Sequence, residues 1–183
     1  MSELGDDHQR ANRLHLAILD MQDARRYLDA YADLEPQPEA LKAELYQTMR
    51  ESLIVAAIVA YCRPFSRNKS PGQAVKRLSI DEFWWITNNA TQRALHVLIT
   101  TKRDTFVAHA DWEARSTEIV ELTGTGVKRI FSDPDVMEGL DAKEFSALAL
   151  EVEKDCFYQA MALQHRMHKE QSDPAAPAPG SQK

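Results

Sequence analysis

Cysteine is nearly missing from this chain: Cys62 and Cys156 are its only two among 183 residues. That scarcity excludes a disulfide framework and a cysteine-built zinc site. Cys156 falls in an apolar helical stripe and reads as a small core residue. Long apolar runs are missing as well. The longest, Leu53 to Tyr61, is far short of the roughly 20 residues that span a bilayer, so no membrane association is expected. The first residues, Met1 to Asp7, are acidic and carry no basic-then-apolar leader, which makes the cytoplasm the expected compartment. Glycine is sparse too, with six residues. Gly124 and Gly126 are followed by no further glycine and no Lys-Ser or Lys-Thr, which excludes a phosphate loop and leaves them as turn residues. No internal repeat, metal-ligand spacing or cofactor motif is visible, so no metal and no cofactor are expected.

What remains is the composition of an ordinary globular domain, 44% hydrophobic and 27% charged, long enough to bury a real core. The net charge of −6 hides an asymmetry. Ser52 to Arg103 holds eight basic and two acidic residues, a local +6, and the rest of the chain carries −12. A basic middle in an acidic chain marks either an anionic-ligand surface or a solvated basic loop. Arg63, Arg67 and Lys69 are the candidates for the former.

Hydrophobic spacing predicts helices almost throughout. Leu14, Ile18, Met21, Leu28 and Tyr31 define a first helix over about 7–34, broken by Pro36 and Pro38. A second runs over about 38–61. It is amphipathic through Leu41, Leu45 and Met49, then apolar all round, and is stopped by Arg63-Pro64. Ser79 with Glu82 has capping-box spacing and opens a third helix reaching to about His109, with Asn88-Asn89 as a point of interruption. Its predicted packing face is Phe83, Trp84, Ile86, Ala90, Ala94, Val97, Leu98 and Thr101. Trp84 and Trp85 are read as core and helix-packing surface. Residues 116–133 read as a short hairpin or an irregular flap. Asp141 and Glu144 open the last helix, whose stripe is Phe145, Leu148, Val152, Cys156 and Leu163. The expectation is an all-α, four-helix-like up-down bundle with an irregular or hairpin insert before its last helix. Residues 7–171 form the domain, 1–6 a flexible start, and 172–183 a tail disordered by composition.

Chemistry concentrates in Arg103-Asp104-Thr105-Phe106-Val107-Ala108-His109-Ala110-Asp111. An arginine offers a permanently charged planar fork suited to phosphodiester oxygens, and a histidine exchanges protons near neutrality. Together they are minimal parts for cleaving RNA without a metal. A base removes the ribose 2′-hydroxyl proton, an acid protonates the leaving 5′-oxygen, and the arginine stabilises charge at phosphorus. On an ideal helix, positions six apart point about 120° from one another. Either the helix is distorted, or the arginine bends around, or the site is assembled across a dimer. His96, seven residues before Arg103 and nearly cofacial with it, is a further candidate for substrate binding. The plain structural alternative pairs Arg103 with an acid such as Glu113 and lets His109 close the helix against its dipole.

Arg103-Asp104, four further positions and then His109-Ala110-Asp111, late in the third helix of an all-α chain, resembles the HEPN family, especially its abortive-infection type. The resemblance covers about residues 7–170. It implies a homodimeric, metal-independent endoribonuclease, often a toxin or antiviral defence effector with an antitoxin partner, whose Arg/His pairs face each other across the dimer cleft. Carried over by position, Arg103 would stabilise the scissile phosphate, His109 would be the acid/base and Asp104 would orient them. Asp111 stands where the adenylylation-controlled branch has a tyrosine, which argues against a nucleotidyltransferase partner of that kind. Two other readings of the residues stay open: a non-catalytic HEPN-like module binding nucleotide, RNA or a protein, and a helical scaffold without a site.

Overall fold

Helix α1 spans Glu3–Asp33 in a computed structural model that describes residues 3–34, 43–66, 77–108, 117–123, 126–131 and 136–172. Leu14, Met21 and Leu28 are buried along its inner side with Ala11, Ala17 and Ala24, while Ile18 and Tyr31 pack partly buried against them. The start lies four residues ahead of the predicted Asp7. Residues 173–183 of the predicted tail lie outside the described residues.

Helix α2, Ala43–Cys62, runs antiparallel to α1, because late α1 meets early α2 and early α1 meets its end. Arg50 donates to the Tyr31 hydroxyl and lies over its ring, whereas Arg13 reaches the carbonyls of Arg63 and Pro64 at 3.2 and 2.5 Å. The apolar run is buried as its sequence predicts, with Ile54, Ala57, Ile58, Ala60 and Tyr61 at or near zero exposure. The lead-in differs: Leu45 and Met49 are exposed, and Leu41 lies outside the described residues. Proline ends the helix where expected. Arg63–Phe65 tightens into a 3-10 turn with Pro64 in its opening positions.

The predicted third helix is four pieces. Ser79 makes the capping box with Glu82, but the box caps only a 3-10 turn, Ile80–Glu82. Helix α3, Trp84–Thr87, follows, and the chain breaks at Asn88-Asn89. Helix α4, Ala90–Lys102, starts anew with the Asn89 side chain accepting from the Thr91 and Gln92 amides. It continues as a π-helix over Arg103–Ala108. The break resets the helical phase, and beyond it the predicted packing face holds only at Leu98, which packs against the core. Ala90, Ala94, Val97 and Thr101 are exposed, and the inward residues are Leu95, His96, Leu98, Ile99 and Lys102. Two of those five are polar, which is why apolar spacing pointed mostly to the wrong side. Trp84 is also no core residue, being 69% exposed. Trp85 is half-buried and donates to Asp155 at 3.1 Å.

Of the two expectations for the insert, the hairpin holds. Strand β1, Thr117–Thr123, pairs antiparallel with β2, Gly126–Phe131, with a register irregularity between Ile119 and Glu121. Helix α5, Ala142–Ser172, is capped by Asp141, which accepts from the Lys143 and Glu144 amides. Its stripe is buried as predicted at Phe145, Leu148, Val152, Cys156 and Leu163. It lies antiparallel along α1: Asp7 meets Arg166, Arg10 meets Gln159, and Gln22 and Arg25 meet Glu153. The fold is all-α, with its core carried by helices and one two-stranded hairpin inserted before α5. Among the described residues no helix is long and apolar enough to cross a membrane.

Candidate functional site

Three chain segments converge beside the C-terminal end of α2 and line an open cavity of roughly 560 Å³. The α2 end contributes Cys62, Phe65 and Ser66, and the stretch before α3 contributes Arg77 through Asp81. From α4 and its π-helical continuation come His96, Thr100, Arg103 and Asp104. Each wall has a local reason for its place. Ser66 Oγ donates to the Cys62 carbonyl and the Leu78 amide to the Pro64 carbonyl, tying the first two segments together. The Ser79–Asp81 wall is held from outside through Glu82. One Glu82 oxygen accepts the Ser79 amide at 2.9 Å while the other meets Arg10 of α1 at 2.6 Å.

His96, Thr100 and Arg103 follow one another at four- and three-residue intervals and so share a helix face. Thr100 spends its hydroxyl on the His96 and Val97 carbonyls, a back-bond that suits the loosening of the helix just ahead. From Arg103 the winding widens to π geometry, a form found mostly as single turns and often at functional sites. The ideal 100° step therefore does not apply from Arg103 onward, and of the explanations the sequence leaves open, a distorted helix end is present. Arg103 is partly exposed and donates to Asp104 Oδ1 at 2.7 Å. Arg77 is exposed and has no ion-pair partner among the described residues.

His96 is only 8% exposed. Its Nδ1 lies 2.9 Å from the Tyr61 hydroxyl, and its ring stands edge-on to Phe65 and Tyr61. Burial pushes its pKa down to about 4, so near neutral pH it is an uncharged imidazole and no proton carrier. Burial also raises the Tyr61 phenol, reinforced by the neighbouring Cys62. Burial lifts the Cys62 thiol to about 12, against a smaller opposing pull from Arg103. This thiol is inert at physiological pH.

The other sequence candidates fall in different places. Arg63 turns to α1, where it pairs with Asp20 at 3.2 Å, and it does not line the cavity. Burial raises the Asp20 carboxyl, with Arg63 and Arg13 opposing. Arg67, Lys69, His109, Asp111 and Glu113 lie outside the described residues. No group of three or more His, Cys, Asp or Glu side chains is placed to hold a metal among the described residues. Sequence reasoning missed Arg77, Thr100 and Tyr61. Thr100 was open to discovery through its spacing with His96 and Arg103. Tyr61 was not, because its contact with His96 joins different helices.

Comparison with protein-family models, with curated proteins and with solved structures gives no match.

Proposed function

We propose that this chain is a metal-independent endoribonuclease of HEPN type, working as a homodimer with a composite Arg/His site. The observation that carries the reading is the position of Arg103. It stands where α4 gives way to π geometry, on the wall of a cavity that also holds Arg77 and the uncharged His96. In this reading Arg103 stabilises charge on the scissile phosphate, Asp104 orients the guanidinium through its 2.7 Å bond, and His109 is the acid/base. With His96 unable to carry a proton near neutrality, acid/base work falls to His109 alone within each copy. A dimer supplies a second one. RNA is the substrate, the setting is a cytoplasmic toxin or antiviral defence, and an antitoxin protein is the expected partner. Arg67 and Lys69, with Arg77, are the candidate backbone contacts, since RNA affinity depends on neutralised phosphates.

Cleavage of single-stranded RNA in excess chelator tests the reading. Wild type is expected to cut, and His109→Ala to lose about 10²- to 10⁴-fold in rate, the range of general acid–base catalysis. Equal activity in both, or none in either, sinks it. One observation favours a second reading, a non-catalytic module that binds nucleotide, RNA or a protein. Asp104 already takes an Arg103 donor, and the chain is acidic overall. That reading expects RNA binding without cleavage, weakened equally by Arg103→Ala and Arg77→Ala.

A further inference from the structure

Tyr61 and His96 form a buried polar pair for which the proposed chemistry has no use. The Tyr61 side chain is fully buried, and among the described residues His96 Nδ1 is the one hydrogen-bond partner of its hydroxyl. If Nδ1 carried the proton and donated, the phenolic hydrogen would be left in the core with no acceptor, a desolvated donor of the kind native structures avoid. If the phenol donates instead, both groups are satisfied and the imidazole proton sits on Nε2. Nε2 has no hydrogen-bond partner among the described residues. The ring lines the cavity with its Nδ1 side turned to Tyr61, which leaves the opposite, Nε2 side to face it. The edge-on contacts with Phe65 and Tyr61 at 5.0 and 5.8 Å fix the ring's direction.

We infer that Tyr61 donates to His96 Nδ1 and so sets Nε2–H as a hydrogen-bond donor into the cavity, where with Arg77 and Arg103 it holds a phosphate oxygen of the ligand. The ligand class rests on the function proposed above, whereas the tautomer rests on the buried pair alone. The other charged groups on the cavity wall are the Asp81 and Asp104 carboxylates. Asp104 is bonded to Arg103, and Asp81 is engaged by the Ser79 hydroxyl at 3.3 Å. The donors that remain, from Arg77, Arg103 and His96, match the oxygens of a phosphate mono- or diester. Tyr61 is a positioning residue here. It touches no ligand and acts by choosing which imidazole nitrogen carries hydrogen.

Long-range ¹H–¹⁵N spectra of the full chain test this directly, with the His96 ring assigned by comparison with His96→Gln. In wild type at neutral pH, Nε2 is expected protonated and Nδ1 bare. Inorganic phosphate and, separately, a dinucleoside monophosphate are then titrated in. Either is expected to move the Nε2–H signal, and the tighter of the two identifies the source of the phosphate group. Tyr61→Phe is expected to give a mixture of tautomers and about tenfold weaker binding, the size of one charge-assisted hydrogen bond. Should that variant not fold, His96→Gln, which keeps an N–H donor, is expected to retain more affinity than His96→Phe. A wild-type Nδ1–H tautomer, or a His96 signal that neither ligand moves, overturns the inference. Failure of the nuclease reading is distinguishable. A His96 that responds in a chain cutting no RNA upholds the donor and removes the nuclease, and RNA cleavage with a silent His96 does the reverse.

Discussion

His96 is held among Tyr61, Phe65 and the cavity with its pKa near 4, against 6.5 for a free imidazole. Between these two values the unfolded chain binds a proton that the folded chain refuses, so stability is full above about pH 6.5 and is lost as pH falls towards 4. The complete loss amounts to about 3 kcal/mol. Urea unfolding across pH 4 to 7 is expected to show this slope in wild type and to show it flattened in His96→Gln. Arg103 differs, being partly exposed and tied among the described residues only to its neighbour Asp104. Arg103→Ala is therefore expected to leave the unfolding midpoint almost unchanged while lowering RNA cleavage by about 10²- to 10³-fold, the usual effect of removing one charge-stabilising donor. A fall in stability without a fall in rate would give Arg103 back to the scaffold. At this scale the sequence showed Arg103, Asp104 and His96 as chemistry-bearing, because residue type and helical spacing are local properties. It could not show that His96 is uncharged, since that follows from burial against Tyr61 and Phe65, 35 and 31 positions away.

The elements were legible wherever a residue interrupts the backbone. Pro64 ends α2, Asp141 opens α5, and Ser79 with Glu82 makes a capping box. Asn88-Asn89 marked a break, and its use is now clear: Asn89 is the N-cap that starts α4 in a new phase. Asn89→Ala is expected to cost about 1 kcal/mol in denaturant unfolding. The face of α4 was not legible. Its exposed side carries Ala90, Ala94 and Val97, while its inward side carries His96 and Lys102. Hydrophobic spacing reads apolar content, and here the polar residues turned to the cavity and the core run against it. Ile99→Ala is expected to cost about 2–4 kcal/mol by leaving a cavity, and Val97→Ala to stay within about 0.5 kcal/mol. Equal costs would restore the face the spacing suggested.

For the whole molecule, α1 is the common partner that aligns α2 and α5 and, through Arg10 and Arg13, braces two walls of the cavity from behind. Arg13 is buried, and burial lowers its pKa, with Asp20 opposing. Among the described residues, the basic side chains behind the local +6 between Ser52 and Arg103 do not share one patch. Arg63 is spent on Asp20 and Lys102 is buried, while Arg77 and Arg103 reach the cavity. An all-α fold was readable from helical periodicity, whereas the proposed association of two copies would leave no comparable periodic mark. The proposed nuclease depends on that association. The most direct test is the rate of RNA cleavage per chain, in chelator, measured over a range of protein concentrations alongside sedimentation of the same samples. The result expected is cleavage that rises and falls with the fraction of dimer and vanishes in His109→Ala. Cleavage by the monomeric chain, or a dimer that cuts no RNA, would contradict it.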